Sequence, residues 1–175
     1  MDYKASIRTI PDYPAKGIMF RDVTTLMGDA EAFASAIRDL CAPVSAGTID
    51  IVAGIDARGF ILGGAMAVEL GAGFLPLRKP GKLPFDTLSE SYDLEYGSDA
   101  LHMHTDGVKE GQRVLLVDDL IATGGTAEAG VKLLRRGGAI IDAAVFLVDL
   151  PELGGADRIR HYGIDVHALV SFEGH

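Results

Sequence analysis

Cysteine is almost missing from this chain: Cys41 stands alone among 175 residues. A single thiol excludes an internal disulfide and fits a reducing compartment. The residue itself reads as a small buried apolar side chain. No run has the length and apolarity of a membrane span. The first residues, MDYKASIRTIPDYP, lack the basic-then-apolar pattern of a signal peptide, so a cytoplasmic protein is expected. Positive charge is also scarce, with 16 Lys and Arg against 25 Asp and Glu and a net charge of −9. Such a chain repels nucleic acid unless a local basic patch reverses the field. Two phosphate-binding patterns are absent as well. The GAG at 71–73 has Pro76 where a dinucleotide fingerprint needs its third glycine, and no GxxxxGK[ST] occurs. There is no internal repeat, linker or low-complexity tract. What remains, with 48% apolar residues, is one folded domain of ordinary size spanning 1–175.

The most informative stretch is RVLLVDDLIATGGT, Arg113 to Thr126. Val114 to Val117 form a short apolar run of the kind found in strands buried on both faces of a parallel sheet. Asp118 and Asp119 follow where that strand is expected to leave the core, and ligands of open α/β sheets bind outside the carboxyl ends of strands. Ala122-Thr123-Gly124-Gly125-Thr126 then opens a helix. Its glycines permit a tight turn and a close backbone approach, and Thr126 is the expected N-cap. Free N–H groups and the helix dipole make such a start an anion site. Together these describe a site for a sugar phosphate, with the loop on the phosphate and the acids accepting from ribose hydroxyls.

Elsewhere, residues 1–28 read as an irregular arm punctuated by Pro11, Pro14, Gly17 and Gly28. Within it, Phe20 beside Arg21 is either a stacking platform for a flat heterocycle or an anchor for the arm. Asp29 caps a helix over about 30–42, with one helix expected ahead of the first strand. Residues 49–55 read as that strand, ending in Asp56-Ala57-Arg58-Gly59, and a helix over 59–70 is closed by Gly71. Arg58 is well placed for a bidentate grip on pyrophosphate. A short strand, 74–77, leads into Arg78-Lys79-Pro80-Gly81-Lys82, a basic loop that is either solvated surface or anion-facing. Alternation at Tyr92, Leu94 and Tyr96 and again at Leu101 and Met103 predicts a β-hairpin or long flap over 82–104. His102 and His104 share a strand face, but no third ligand is near, and no metal site is assigned. A helix over 126–136, a strand over 139–150, a short helix over 153–162 and a strand over 164–170 complete the chain. The alternation predicts an α/β fold with a doubly wound, mostly parallel sheet.

The blocks GIMFRD (17–22), AGIDARGF (53–60), LRKPGKLP (77–84), SYDLEYG (91–97) and VLLVDDLIATGGT (114–126) resemble, in order, those of the adenine phosphoribosyltransferase family of type I phosphoribosyltransferases. The likeness runs from about residue 8 to about 172. It implies a type I phosphoribosyltransferase fold with an N-terminal hood and a flexible flap. It also implies transfer of phosphoribose from phosphoribosyl pyrophosphate (PRPP) to adenine, giving AMP and pyrophosphate, with Mg²⁺ carried by the substrate.

On this resemblance Asp118 and Asp119 hold the ribose hydroxyls, and Ala122, Thr123, Gly124, Gly125 and Thr126 hold the 5′-phosphate. Asp56, Ala57, Arg58, Arg78, Lys79 and Lys82 face pyrophosphate, and the Asp56–Ala57 peptide is expected to be cis. Pro80 stands where relatives carry a basic residue. Phe20 stacks on adenine, the backbones of Met19 and Arg21 read its 6-amino and N1 edge, and Leu147 packs on the other face. Glu95 with Tyr96 reaches the purine, replacing an aspartate that 6-oxopurine enzymes carry where Ala122 stands. A homodimer is expected, with no nucleic-acid or membrane partner. Two rivals are weaker: a xanthine or orotate enzyme, which the hood and Ala122 oppose, and a PRPP-sensing regulator, which the acidic charge and the lack of a helix-turn-helix oppose.

Overall fold

The computed structural model describes residues 1–94 and 96–174. Five parallel strands make the central sheet: β3 (Ile51–Ile55), β4 (Gly73–Leu77), β7 (Val114–Ile121), β8 (Ala143–Asp149) and β9 (Asp165–Ser171). Their spatial order is β4-β3-β7-β8-β9, so the winding reverses between β3 and β7. That reversal is the switch point where doubly wound sheets bind ligands. Alternate residues along the strands feed two cores. Leu116, Ala144 and Phe146 face one, and Leu115, Val117, Val145 and Leu147 face the other, as a sheet covered on both sides requires.

The second face is covered by α3 (Ala30–Cys41) and α4 (Arg58–Leu70). Asp29 caps α3 as expected, accepting from the Ala32 N–H at 2.8 Å, and Cys41 is buried. Gly71 closes α4 in the left-handed conformation. The start of α4 lies so close to β3 that a Cβ on Gly54 would sit 2.5 Å from the Gly59 carbonyl oxygen and 2.8 Å from the Phe74 ring. This approach delivers Arg58 to the switch point. On the first face lie α5 (Gly125–Arg136), α6 (Gly155–Arg160) and an antiparallel hairpin, β5 (Thr87–Asp93) with β6 (Ser98–His104). Among the described residues, no helix is long and apolar enough to cross a membrane.

Several expectations need correction. Strand β7 does not end at the acids but runs to Ile121, because Leu120 and Ile121 keep pairing with β8. Helix α5 begins at Gly125 with Gly124 as N-cap at φ 85°, so Thr126 lies inside the first turn and is not the cap. Strand β8 starts at Ala143, four residues later than the apolar run suggested. In the hairpin, Tyr92, Leu101 and Met103 are buried, but Leu94 and Tyr96 fall in the turn and are exposed, which breaks the expected alternation. The arm is less irregular than its prolines implied. It holds single-turn helices α1 (Tyr3–Ser6) and α2 (Thr24–Met27), and a ribbon of β1 (Arg8–Pro11) with β2 (Met19–Asp22). Three helices therefore precede β3, two of them one turn long. The Asp56–Ala57 peptide is cis, as expected, and so is Tyr13–Pro14, which was not foreseen.

Replacing Gly54 by Ala forces a Cβ into the Gly59 backbone and should lower the unfolding free energy by about 1–3 kcal/mol in urea denaturation. Gly64→Ala is the control. A Cβ there meets nothing within 4 Å, and mid-helix it should raise stability by about 0.5–1 kcal/mol.

Candidate active site

Strands β3 and β7 stay paired only as far as Gly54 and Val117. Beyond that point β7 keeps its β8 partner alone, and Asp118 and Asp119 project into the opened crevice. Asp119 is 6% exposed, and its Oδ2 accepts from Arg58 Nε at the first turn of α4. Asp118 Oδ1 accepts from the Asp119 N–H at 2.8 Å. Burial, then the adjacent Asp119 charge, push the Asp118 carboxyl well above its ordinary value. Burial works against the Arg58 charge, but the hydrogen bond to Asp119 and the nearby carboxylates outweigh it and push the guanidinium pKa up. One cation thus serves two adjoining acids.

The loop after β7 turns through Gly124 into α5, whose first turn presents unpaired N–H groups. Its back rests on the start of α6. The Gly155 N–H donates to the Ala122 carbonyl at 3.0 Å. A Cβ on Gly124 would lie 2.9 Å from the Gly155 Cα. Over the loop stands the arm. The Phe20 ring meets Tyr13 edge-on at 5.1 Å. Arg21 donates to Thr9 Oγ1 at 2.6 Å, and its guanidinium lies 4.2 Å from the centre of the Phe172 ring.

A cavity of about 350 Å³ occupies this corner. Of the residues singled out from sequence, Phe20, Arg21, Arg58, Asp118, Asp119 and the whole loop Ala122–Thr126 line it together. Met19 does not line it. Leu147 does not either: it is fully buried in the core beneath α3 and α4, and Leu150, at the end of the same chain segment, lines the cavity instead. Sequence reasoning also missed Ile18 in the lining and Phe172, which steadies Arg21. The first was within the quoted GIMFRD block. The second had no local signal, because its partner lies far along the chain.

The basic loop is tied down. Asp56 Oδ2 accepts from Arg78 Nε and from the Lys79 N–H, both at 3.3 Å. Lys79 Nζ donates to Asp99 Oδ2 at 2.7 Å and also contacts the Tyr92 hydroxyl, both on the hairpin. These bonds outweigh partial burial and push the Lys79 pKa up. Lys82 is exposed. Ala57 is exposed just ahead of Arg58. Tyr96 is 88% exposed, and Glu95 lies outside the described residues. Among the described residues, no three His, Cys, Asp or Glu side chains are grouped to hold a metal ion. A second cavity, about 420 Å³, lies at the opposite end of the strands, beside Arg113, Asp142 and His167. That end faces away from the switch point.

An open parallel sheet whose winding reverses beside paired acids and a Gly/Thr turn into a helix defines a doubly wound α/β protein with its crevice at the switch point. The phosphoribosyl transferase domain family matches residues 25–171. The adenine phosphoribosyltransferase of Rhodopseudomonas palustris (strain BisB18) is 63% identical over 99% of this chain and 87% of its own length. Among solved structures, that of the adenine phosphoribosyltransferase from Thermoanaerobacter pseudethanolicus is 48% identical, with TM-score 0.92 over 98% of each chain. The Trypanosoma brucei enzyme, solved with AMP, pyrophosphate and ribose-5-phosphate, is 26% identical, with TM-score 0.87 over 97% of this chain and 78% of that one. The chain belongs to the adenine phosphoribosyltransferase family.

The raised Asp118 pKa has a sign. The unfolded chain ionises this carboxyl near 3.8, and the folded protein does so only at higher pH. Between the two values each step up in pH costs the fold stability, and the loss is complete above the folded value. Asp118→Asn should therefore raise the thermal midpoint by several degrees at neutral pH. The gain should shrink as pH falls and vanish below the ordinary carboxyl value, as calorimetry across that range would show.

Proposed function

We infer that this chain transfers the 5-phosphoribosyl group of PRPP to adenine, giving AMP and pyrophosphate in purine salvage. The observation that carries the reading is one cavity at the switch point, holding the acid pair, the amide loop and Phe20 together. The ligands of the Trypanosoma brucei relative correspond to the product, the leaving group and the sugar-phosphate moiety that this reaction transfers.

In this reading Asp118 and Asp119 accept from the ribose hydroxyls. The 5′-phosphate takes the N–H groups of Ala122–Thr126 and the hydroxyls of Thr123 and Thr126. Arg58 exchanges Asp119 for pyrophosphate as the ribose takes over the carboxylate. Asp56, Ala57, Arg78, Lys79 and Lys82 make the rest of the pyrophosphate side, and Lys79 leaves Asp99 to join it. Phe20 stacks on adenine, the backbones of Met19 and Arg21 read its edge, and Leu150, in place of the buried Leu147, supplies the apolar wall. Backbone reading offers adenine an acceptor and a donor where a 6-oxopurine needs the reverse, a mismatch on the order of a few kcal/mol.

As the C1′–O bond to pyrophosphate breaks, its electron pair leaves with pyrophosphate. N9 of adenine then forms the new bond to an oxocarbenium-like C1′, and the proton that N9 carried is released. Glu95, assigned on sequence alone, exchanges a proton with the purine, and Tyr96 stands beside it. The arm is the hood and the hairpin the flap, whose closure over the site keeps water from the activated sugar. Mg²⁺ would come with the substrate, Asp118 or Asp119 would be the protein group to hold it, and when bound it would stabilise charge on the leaving group.

A pyrophosphate-release assay with PRPP and Mg²⁺ should show turnover with adenine and at most traces with hypoxanthine, guanine or xanthine. Equal turnover with a 6-oxopurine would overturn the base assignment. A cytoplasmic homodimer completes the proposal. The lone thiol supports the compartment. Helix α4 leaves Ile61 and the 85% exposed Val68 on one face, beside edge strand β4 with Phe74 partly bare. Sedimentation should give two chains for the wild type and one for Val68→Glu, whereas an unchanged dimer would remove this face from the interface.

A further inference from the structure

Helix α6 has no part in the reading above, yet it is built against the Gly/Thr loop. We propose that Arg158 is a positioning residue for the 5′-phosphate: beside the Gly155 N–H, which takes the Ala122 carbonyl, it holds the Thr123 carbonyl away from the site so that the loop N–H groups face into it. The proposal rests on the assignment of this loop to the phosphate.

Two successive loop carbonyls are taken from the α6 side. The Ala122 oxygen accepts from the Gly155 N–H at 3.0 Å, and the Thr123 oxygen accepts from Arg158 Nη1 at 3.4 Å. In a trans peptide the C=O and the following N–H point in opposite directions. Fixing the Ala122 and Thr123 carbonyls on one side therefore turns the N–H groups of Thr123 and Gly124 to the other, as an anion-binding nest requires. Gly155 leaves no freedom in the first contact. A Cβ there would overlap the Ala122 oxygen and lie 2.8 Å from the Gly124 nitrogen.

Arg158 is itself held in place. Its Nη2 pairs with Glu128 Oε2, one turn into α5. The other oxygen, Oε1, accepts from the Tyr162 hydroxyl at 2.6 Å. The Glu128 N–H donates to the Gly124 carbonyl at 2.8 Å. Burial disfavours the Glu128 charge, but the bonds from Tyr162 and Arg158 overcome it, and its pKa falls. The guanidinium thus spans from the loop to the first turn of the helix that the loop opens, with one donor on each. Nη1 lies 3.7 Å from where a Gly125 Cβ would stand, so its charge adjoins the phosphate-facing turn in a chain of net charge −9.

A mere tie between α5 and α6 would affect every ligand alike, whereas a phosphate-positioning role acts only on ligands that carry the phosphate. Titration calorimetry of AMP and adenosine separates the two. Arg158→Met keeps the stem and removes both donors. It should weaken AMP about tenfold, the scale of one charge-assisted hydrogen bond, and leave adenosine unchanged. Glu128→Gln, which frees the guanidinium, should weaken AMP less, and the double variant should be no worse than Arg158→Met alone, because the pair acts through one contact. Equal weakening of AMP and adenosine, an unchanged AMP affinity, or additive effects in the double variant would each overturn the role of Arg158 while leaving the reaction standing. A wild-type protein that binds adenosine as tightly as AMP would overturn the phosphate assignment of the loop, and this proposal with it.

Discussion

Two neighbouring carboxylates held out of water at the end of a strand are costly, and the architecture of the site follows from how that cost is met. A buried acid beside another acid resists ionisation, as the raised Asp118 pKa shows. The protein supplies one cation, Arg58, in contact with Asp119. To bring it there, α4 must start almost on the backbone of β3, where only glycine at 54 leaves room, and a Cβ on Gly59 would lie 3.0 Å from the Val117 oxygen of β7. The end of β7, unpaired on its β3 side, provides the crevice, and Asp118 shares the one cation that contacts Asp119. The acid pair thus works against the fold, the usual pattern where residues are placed for function.

The loop answers the opposite need. Phosphate is best met by peptide N–H groups, which carry no charge to bury and no side chain to order. On the proposed reading the turn meets it with small residues throughout, backed by a second glycine segment at the head of α6. Acid pair and amide turn are separated by only a few residues on one chain segment, so the spacing between them is set by local backbone geometry, not by the docking of distant elements.

Much of this was legible in the sequence. The valine-rich run, the two acids and the Gly/Thr turn are contiguous, and each has a local physical signature. The Asp29 cap and the Gly71 helix end were equally clear for the same reason. What local pattern could not show was the work of distant neighbours. Pairing with β8 carries β7 past its acids, and contact with Gly155 moves the helix cap from Thr126 to Gly124. Leu147 and Leu150 are both apolar residues of one segment, and where β8 ends decides between them: Leu147 lies within the strand in the core, while Leu150 follows its last residue and reaches the cavity. The β1–β2 ribbon, the Phe172 stack on Arg21 and the reach of Arg158 to Thr123 join parts of the chain that no window of sequence contains.

The attachment of the hairpin carries one more consequence. Arg78 and His102 exchange backbone hydrogen bonds at 2.9 and 2.8 Å, and the next residue, Lys79, grips Asp99 on the same strand. Arg78 and Lys79 also hold Asp56, at the tip of β3. The basic loop and the hairpin are therefore mechanically one lever, with its fulcrum at the sheet edge. Any swing of the distal turn pulls on the residues beside Asp56, and any rearrangement at Asp56 is felt at the distal turn.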